Sequence, residues 1–288
     1  MTARWVVAGV MVLGAVARAA AADKPPVPIG VDPGGVAVAI VGPGIDYTDR
    51  DIAKRLARDG EGEIVGFDLI DGDRRPYAVG QTAGERSSQS QFVSLLLDQQ
   101  SSRIAVFRAD AAQRVSLARA ISYVAKGPAR IVFLPGGLPE SPTPDFEFLA
   151  AASKQFPELL FVVPAGDQAA VLDGPVRGDL SNVLVVTAVA SGSDVTTAKP
   201  NRGAWVDLAA LGGLTRAACG AAGCATVTGS YSQIAAARVA GLAAKLTAET
   251  SGLGGAALKR AIVALARRDA AATTRFGMIE TGADRSAK

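Results

Sequence analysis

Uninterrupted runs of apolar residues recur along this chain and alternate with segments of helical periodicity. The runs that indicate buried strands cover residues 36–41, 104–107, 131–134, 159–163 and 183–186. Strands that are apolar throughout, rather than at every second position, are typical of a parallel sheet covered on both faces. Helical stretches are predicted at 49–59, 92–99, 114–126, 145–155, 234–246 and 256–268. The alternation predicts an α/β fold, a three-layer sandwich with a mainly parallel sheet and helices on both faces.

The first 22 residues have the pattern of a secretory signal peptide. Arg4 precedes an apolar run over residues 5–16 that is too short to span a bilayer, and Ala-x-Ala patterns continue to Ala22. Cleavage there would leave a Pro- and Gly-rich lead over residues 23–35 and one domain over residues 36–288. The prediction is a periplasmic or secreted protein with no transmembrane segment after cleavage. An uncleaved anchor is the alternative.

Composition removes several classes of site. The 288 residues include no histidine, which excludes Ser-His-Asp and Cys-His nucleophiles and most zinc sites. Two cysteines cannot build a four-thiolate site, so neither a metal nor another cofactor is expected. The leader arginines, Arg4 and Arg18, account for two of the three excess positive charges, and no dense basic run follows. The charge pattern therefore gives no support to nucleic-acid binding.

Two smaller features carry structural expectations. Cys219 and Cys224 are separated by Gly220-Ala221-Ala222-Gly223. In an oxidising compartment they are expected to form a disulfide across a tight turn, with free thiols as the alternative.

An acidic cluster is formed by Asp68, Asp71 and Asp73, whose spacing does not match an EF-hand loop. A solvated acidic turn is therefore expected there rather than a calcium site.

Short motifs follow one another over nearly the whole mature chain. They lie at residues 38–47 (a strand running into Gly-Pro-Gly-Ile-Asp), 66–73 (beginning Gly-Phe-Asp-Leu), 88–94, 131–137, 163–167 (Val-Pro-Ala-Gly-Asp), 205–210 (Trp-Val-Asp-Leu-Ala-Ala) and 231–241. Their order and spacing resemble the subtilisin-like serine peptidase family, the subtilases. The resemblance implies the same architecture as the apolar pattern, a mainly parallel sheet with helices on both sides.

The same resemblance places unsuitable residues at the catalytic positions. Gly42 stands at the position of the catalytic Asp, Ser88 at that of the His and Gln233 at that of the nucleophilic Ser. Asp167 replaces the Asn that donates to the oxyanion, and a carboxylate repels that developing negative charge. Pro135 removes a backbone donor from the substrate-pairing edge. The resemblance thus implies an exported, catalytically inactive subtilase-like protein, a binding or structural module with a polypeptide or envelope-protein partner.

Two other functions stay open. A serine hydrolase with a rearranged site would combine Glu85 with Ser230 or Ser232, but Ser230 needs two extra residues before the helix. Ser232 would have to be rotated by about 100° around that helix. A nucleotide-binding protein is suggested by the turn at residues 42–44, although Tyr47 stands where the dinucleotide fingerprint requires glycine.

Overall fold

The computed structural model describes most of the chain downstream of the predicted leader. The described ranges are 24–79, 102–136, 144–174, 180–189, 199–213, 215–220, 223–228, 231–268 and 274–280. The leader, the helix predicted at 92–99, Glu85, Ser88 and Ser230 lie outside these residues.

Ten strands and five helices occur in the described residues. The strands are β1 Val36–Gly42, β2 Gly66–Asp68, β3 Ser102–Arg108, β4 Ile131–Phe133, β5 Leu160–Pro164, β6 Val183–Val189, β7 Leu208–Leu211, β8 Thr215–Gly220, β9 Gly223–Thr228 and β10 Gly277–Met278. The helices are α1 Arg50–Ala53, α2 Arg114–Lys126, α3 Phe146–Gln155, α4 Tyr231–Glu249 and α5 Gly255–Ala264. None of these helices combines the length and apolarity that a membrane crossing requires.

Eight strands form one sheet in the order β10-β7-β6-β5-β4-β1-β3-β2. Every neighbouring pair in it is parallel. The remaining two strands, β8 and β9, form a separate antiparallel ribbon. The prediction of a mainly parallel α/β sheet is confirmed.

The sheet separates two hydrophobic cores. Val38 and Ile40 of β1 point into a core shared with α4 and α5. Ala37 and Ala39 point the opposite way, into a core shared with α2 and α3. Because each strand is covered on both sides, apolar residues occupy successive positions, which is why the pattern of the sequence is continuous rather than alternating. The three-layer sandwich is confirmed.

Two helices are shorter than their periodicity predicts. Helix α1 ends at Ala53 because the following backbone pairs with β3: Ile104 N donates to Arg55 O at 2.8 Å, and Ala57 N donates to Ile104 O at 2.7 Å. Helix α5 ends at Ala264, and Arg267 beyond it pairs in both directions with Met278 of β10. In both cases the backbone groups that a longer helix would have used form hydrogen bonds with a strand instead.

The acidic turn is not solvated, so that expectation is wrong. The ammonium of Lys24 lies 2.5 Å from Asp68, 2.7 Å from Asp71 and 3.1 Å from Asp73, and the side chains of Lys24 and Asp68 are both 0% exposed. The Arg108 guanidinium also lies 2.7 Å from both Asp68 and Asp71. A lysine 44 residues before Asp68 therefore occupies the centre of the cluster, a long-range contact that local spacing does not reveal.

The lead that contains Lys24 is fastened to the domain along its length. The Tyr47 hydroxyl donates to Pro25 O at 2.7 Å. Further along, the Asp32 carboxylate accepts from Arg58 N at 2.7 Å and from the Arg103 guanidinium at 2.6 Å. These contacts hold residues 24–32 against β3 and the segment that follows α1.

Candidate functional site

Three strands and one helix bring the predicted site positions to one edge of the sheet. Strands β1, β4 and β5 are parallel neighbours, so their carboxyl ends meet there. Gly42 is the last residue of β1, while Pro135 and Asp167 follow β4 and β5. Helix α4 begins at Tyr231 and packs against β4 and β5, which places its first turn beside the same edge.

Gly42 is buried against Pro135. A Cβ placed on Gly42 would lie 3.3 Å from Pro135 Cγ and 3.6 Å from Pro135 Cδ, which is a tight contact. The space next to β1 is therefore filled by the proline ring. A carboxylate at position 42 would require that ring to move.

Gln233 lies half-buried in the first turn of α4 and faces the end of β4. Its amide nitrogen lies 4.0 Å from the point where a Cβ on Gly136 would be. Gly136 itself is exposed, so the amide borders an open surface. A carboxamide donates and accepts hydrogen bonds but supplies no nucleophile comparable to a serine hydroxyl.

Ser232, next to Gln233, points inward instead. Its side chain is 0% exposed, and its hydroxyl lies 2.6 Å from Asp167 Oδ1 and 3.0 Å from Gly166 O. The backbone N–H of Ser232 also donates to the Asp167 carboxylate, at 3.2 Å from Oδ1. Since the hydroxyl has one proton and faces two acceptors, it donates to one of them at a time.

Asp167 therefore acts as a cap supplied from a distant part of the chain. The first backbone N–H groups of a helix have no partner within the helix, and a carboxylate near them is stabilised by the helix dipole. An ionised carboxylate accepts hydrogen bonds and donates none. The described part of the site thus offers an acceptor where stabilisation of an oxyanion requires donors.

The loop that carries Asp167 is held by a residue that the sequence analysis did not identify. Asn201 is fully buried; its Oδ1 accepts from Gln168 N at 3.1 Å and from Ala170 N at 2.8 Å. Its Nδ2 donates to Ala165 O at 2.7 Å. The sequence contains no local signal for this role, because Asn201 lies more than 30 residues further along the chain.

The other predicted residues lie elsewhere or outside the described part. Cys219 and Cys224 occupy directly opposed positions of the β8–β9 ribbon, in a register that also pairs Gly220 with Gly223. Their disulfide stays a prediction. Ser88 lies outside the described residues, so its place relative to Gly42 is not described.

Solved structures of similar shape cover most of both chains being compared. The subtilase cytotoxin SubAB matches with a TM-score of 0.66 at 19% identity, covering 86% of this chain and 88% of the other. A cold-adapted subtilisin-like serine proteinase matches with a TM-score of 0.61 at 18% identity, covering 87% and 90%. A lanthipeptide protease matches with a TM-score of 0.66 at 15% identity, covering 86% of each. The chain has a subtilisin-like fold.

This likeness concerns the fold, since no protein-family model and no curated protein matches the sequence. Within the subtilisin-like fold, Gly42, Asp167 and Gln233 come to the same edge of the sheet, as their motif positions implied. The fold prediction is confirmed.

Proposed function

We propose that this protein is an exported subtilisin-like protein that does not hydrolyse peptides and acts as a binding module. The observation that carries the proposal is the pair Ser232 and Asp167. The serine hydroxyl is buried, and the adjacent carboxylate caps helix α4 instead of leaving donors free for an oxyanion. Among the residues that the structure describes, a substrate carbonyl would meet neither an accessible nucleophile nor donors aimed at its oxygen.

The size of the expected loss supports inactivity. In subtilisin, removing the triad lowers turnover by about a millionfold, and the oxyanion hole supplies much of what remains. This chain has glycine and glutamine at two of the corresponding positions and a carboxylate at the oxyanion position. Both contributions are therefore removed together.

A binding role is supported by the open surface beside Gln233. Gly136 is exposed, and the nearest described atom to a Cβ placed on it is Gln233 Nε2, at 4.0 Å, so the described residues leave room for a side chain there. One protein of similar fold, the subtilase cytotoxin SubAB, is described by its assembly. By analogy, we propose that the partner of this chain is a polypeptide in the cell envelope or outside it.

Activity and processing are tested with the exported protein. N-terminal sequencing of the periplasmic or secreted chain is expected to begin at Asp23. The purified chain is expected to give no turnover of fluorescein-labelled casein or of p-nitrophenyl butyrate above a blank. Ser230→Ala and Ser232→Ala are the matched variants. Turnover that either substitution abolishes would refute inactivity.

The binding role is tested at Gly136. A photo-crosslinking experiment in the intact envelope is expected to yield a discrete adduct that Gly136→Trp abolishes. Gly60→Trp is the matched control, because Gly60 is exposed and a Cβ on it would have no atom of the described residues within 4 Å. No adduct at all, or adducts that both variants reduce equally, would count against a partner at this edge.

A serine hydrolase with a rearranged site is the second candidate. It is favoured by the 2.6 Å contact between Ser232 Oγ and Asp167 Oδ1, which is a hydroxyl beside a possible general base. This candidate requires Ser232 to become accessible. Covalent labelling by a fluorophosphonate probe, lost in Ser232→Ala and retained in Ser230→Ala, would establish it.

A further inference from the structure

A cavity of about 700 Å³ opens at the amino ends of the parallel strands, on the side of the sheet opposite to the candidate site at their carboxyl ends. It is lined by residues that precede strands, among them Leu180 before β6, Trp205 before β7 and Phe276 before β10, together with one side of α5. In a parallel sheet these amino ends lie at the edge away from Gly42 and Asp167. A volume of this size accommodates a small organic molecule, for which pockets of about 300–1,000 Å³ are typical.

The apolar wall of the cavity is held in place. Trp205 donates its indole N–H to Gly174 O at 2.7 Å, and its ring packs edge-on against Phe146 with centroids 4.4 Å apart. Phe276, just before β10, and Val263, on α5, add further apolar surface. The wall therefore exists before a ligand arrives, which lowers the entropic cost of binding.

Among the described residues that line the cavity, the one acid, Asp207, is paired with a cation. Asp207 Oδ1 lies 2.9 Å from the Lys259 ammonium, and both side chains are at least nine-tenths buried. The same ammonium donates to Leu180 O at 3.2 Å and to Val183 O. An ammonium has three donors, so these contacts account for all of them. The buried pair contributes no net charge to the cavity.

Two further cations of the lining, Arg260 and Arg275, are exposed. The Arg275 guanidinium lies over the Phe276 ring, 4.9 Å from its centroid. Within the described residues, neither arginine forms a salt bridge with a carboxylate. The cavity thus combines an apolar wall with two guanidinium groups, which bind carboxylates and phosphates through paired N–H donors.

We propose that this cavity binds a small organic anion, with its apolar body against Trp205 and Phe276 and its anionic head between Arg260 and Arg275. Acyl carboxylates and aromatic carboxylates both have such an apolar body and an anionic head. The proposal is independent of the function proposed for the opposite edge.

The intrinsic fluorescence of the protein provides a local reporter. The chain has two tryptophans, Trp5 in the predicted leader and Trp205 in the cavity wall. In the processed protein, the tryptophan emission therefore comes from Trp205 alone. The probe is 8-anilinonaphthalene-1-sulfonate, an aromatic anion, which is expected to quench Trp205 saturably by energy transfer. N-phenyl-1-naphthylamine, which has the same rings without the sulfonate, is expected to bind more weakly.

Variants distinguish the contribution of the anionic head to binding from that of the apolar body. Arg260→Gln and Arg275→Gln are each expected to raise the dissociation constant of the sulfonate about three- to tenfold, as exposed charge-assisted contacts do. They should leave the neutral amine unchanged. Arg119→Gln, an exposed arginine on α2 outside the cavity, is the matched control. Ala264→Trp, which fills the mouth, is expected to abolish binding of both dyes, with far-UV circular dichroism confirming the fold.

Displacement distinguishes the two sources of ligand. Decanoate represents acyl carboxylates and 1-naphthoate represents aromatic ones, and displacement of the sulfonate by either supports the proposal and names the class. Unsaturable quenching, equal affinity for the charged and neutral dyes, or affinities that neither arginine variant changes would overturn it. Two independent arginine variants keep the result decisive if one of them does not fold.

Discussion

The hydroxyl of Ser232 and the carboxylate of Asp167 lie 2.6 Å apart, although 65 residues separate them in the chain. Their contact joins the loop after β5 to the first turn of α4. It therefore connects the central strands of the sheet to α4, the longest helix among the described residues. At this end of the sheet, the Asp167 carboxylate serves as a cap for helix α4.

The first prediction concerns that cap. Asp167→Ala is expected to lower the free energy of unfolding by about 1–2 kcal/mol, because the N–H of Ser232 loses its acceptor. Asp167→Asn keeps an acceptor oxygen and loses only the charge, so about 0.5 kcal/mol is expected. Urea unfolding measures both. Glu147→Ala, which removes an 81% exposed carboxylate from the first turn of α3, should change stability by less than about 0.5 kcal/mol. Equal losses for Ala and Asn would contradict a hydrogen-bonded cap.

Lys24 is expected to be necessary for the stability of the lead. Lys24→Met preserves much of the side-chain volume but leaves Asp68 buried with Arg108 as its remaining cation, so a loss of about 3 kcal/mol is expected. Lys54→Met is the matched control, since Lys54 is 72% exposed and lies 3.6 Å from Asp51. That variant should remain within about 0.5 kcal/mol of the wild type. Similar unfolding midpoints for the two variants would show that the cluster is not a stabilising contact.

The same cluster predicts how the effect of Lys24→Met depends on pH. Hydrogen bonds from Lys24 and Arg108 lower the pKa of Asp71 despite its partial burial. Desolvation lowers the pKa of Lys24, but its hydrogen bonds to the three carboxylates outweigh this and raise it. A lowered carboxyl pKa contributes stability above its unfolded value that is lost as pH falls through the folded value. A raised lysine pKa contributes stability that is lost as pH rises through its folded value.

The stability difference between wild type and Lys24→Met should therefore be constant from about pH 5 to pH 9. It should shrink below about pH 4 and again above about pH 10.5. Urea midpoints for the two proteins at about pH 3, 7, 9 and 11 measure it. A difference as large at pH 3 as at pH 7 would rule out the charged cluster as its source.

The buried pair Lys259 and Asp207 is suited to a double-mutant cycle. Burial raises the pKa of the Asp207 carboxyl, although Lys259 and the N–H of Val185 oppose this. Lys259→Met alone is expected to cost about 3–4 kcal/mol, because it leaves that carboxyl buried without its salt-bridge partner. Adding Asp207→Asn should restore part of the loss, giving a coupling of about 1–3 kcal/mol. Additive losses would show that the two side chains act independently.

The ribbon allows the disulfide to be tested directly. Cys219 and Cys224 are opposed across β8 and β9, and a bridge closing so short a loop contributes about 2 kcal/mol in the chain-entropy model. Mass spectrometry of the exported protein after iodoacetamide should show no modified cysteine without reductant and two after reduction. Cys219→Ser with Cys224→Ser should then lower stability by about that amount. Two labelled thiols in the unreduced protein would contradict the bridge.

Elements whose form depends on neighbouring residues in the sequence could be predicted, whereas those that depend on a distant strand could not. Buried strands such as β1 and β6 could be predicted because the sheet is covered on both faces, which leaves a continuous apolar signature. Helix α2 could be predicted because it begins and ends within its own periodic segment. By contrast, α1 is short because residues 55–57 pair with β3, and such a partner lies outside any local window.

In the candidate site too, some features could be predicted from the sequence and others could not. The motif order places Gly42, Asp167 and Gln233, because a shared fold fixes where strands end. It does not show that Ser232 turns inward, since this depends on the acceptors presented by Gly166 and Asp167. Lys24 and Asn201 were missed for the same reason, as each acts on residues more than 30 positions away.

Strand β10 lies at one edge of the sheet and protects the neighbouring strand β7. Residues 275–279 hydrogen-bond to Val206, Asp207 and Ala209, and so shield the flank of β7. If cleavage before Arg275 removed these residues, backbone amide and carbonyl groups along β7 would be left unpaired. Such an exposed strand can pair with a strand of another chain, which leads to aggregation. Proteolytic removal of residues 275–279 would also take away Ile279, which is 1% exposed and belongs to the core shared with α4 and α5. Solubility and core packing would therefore be lost together.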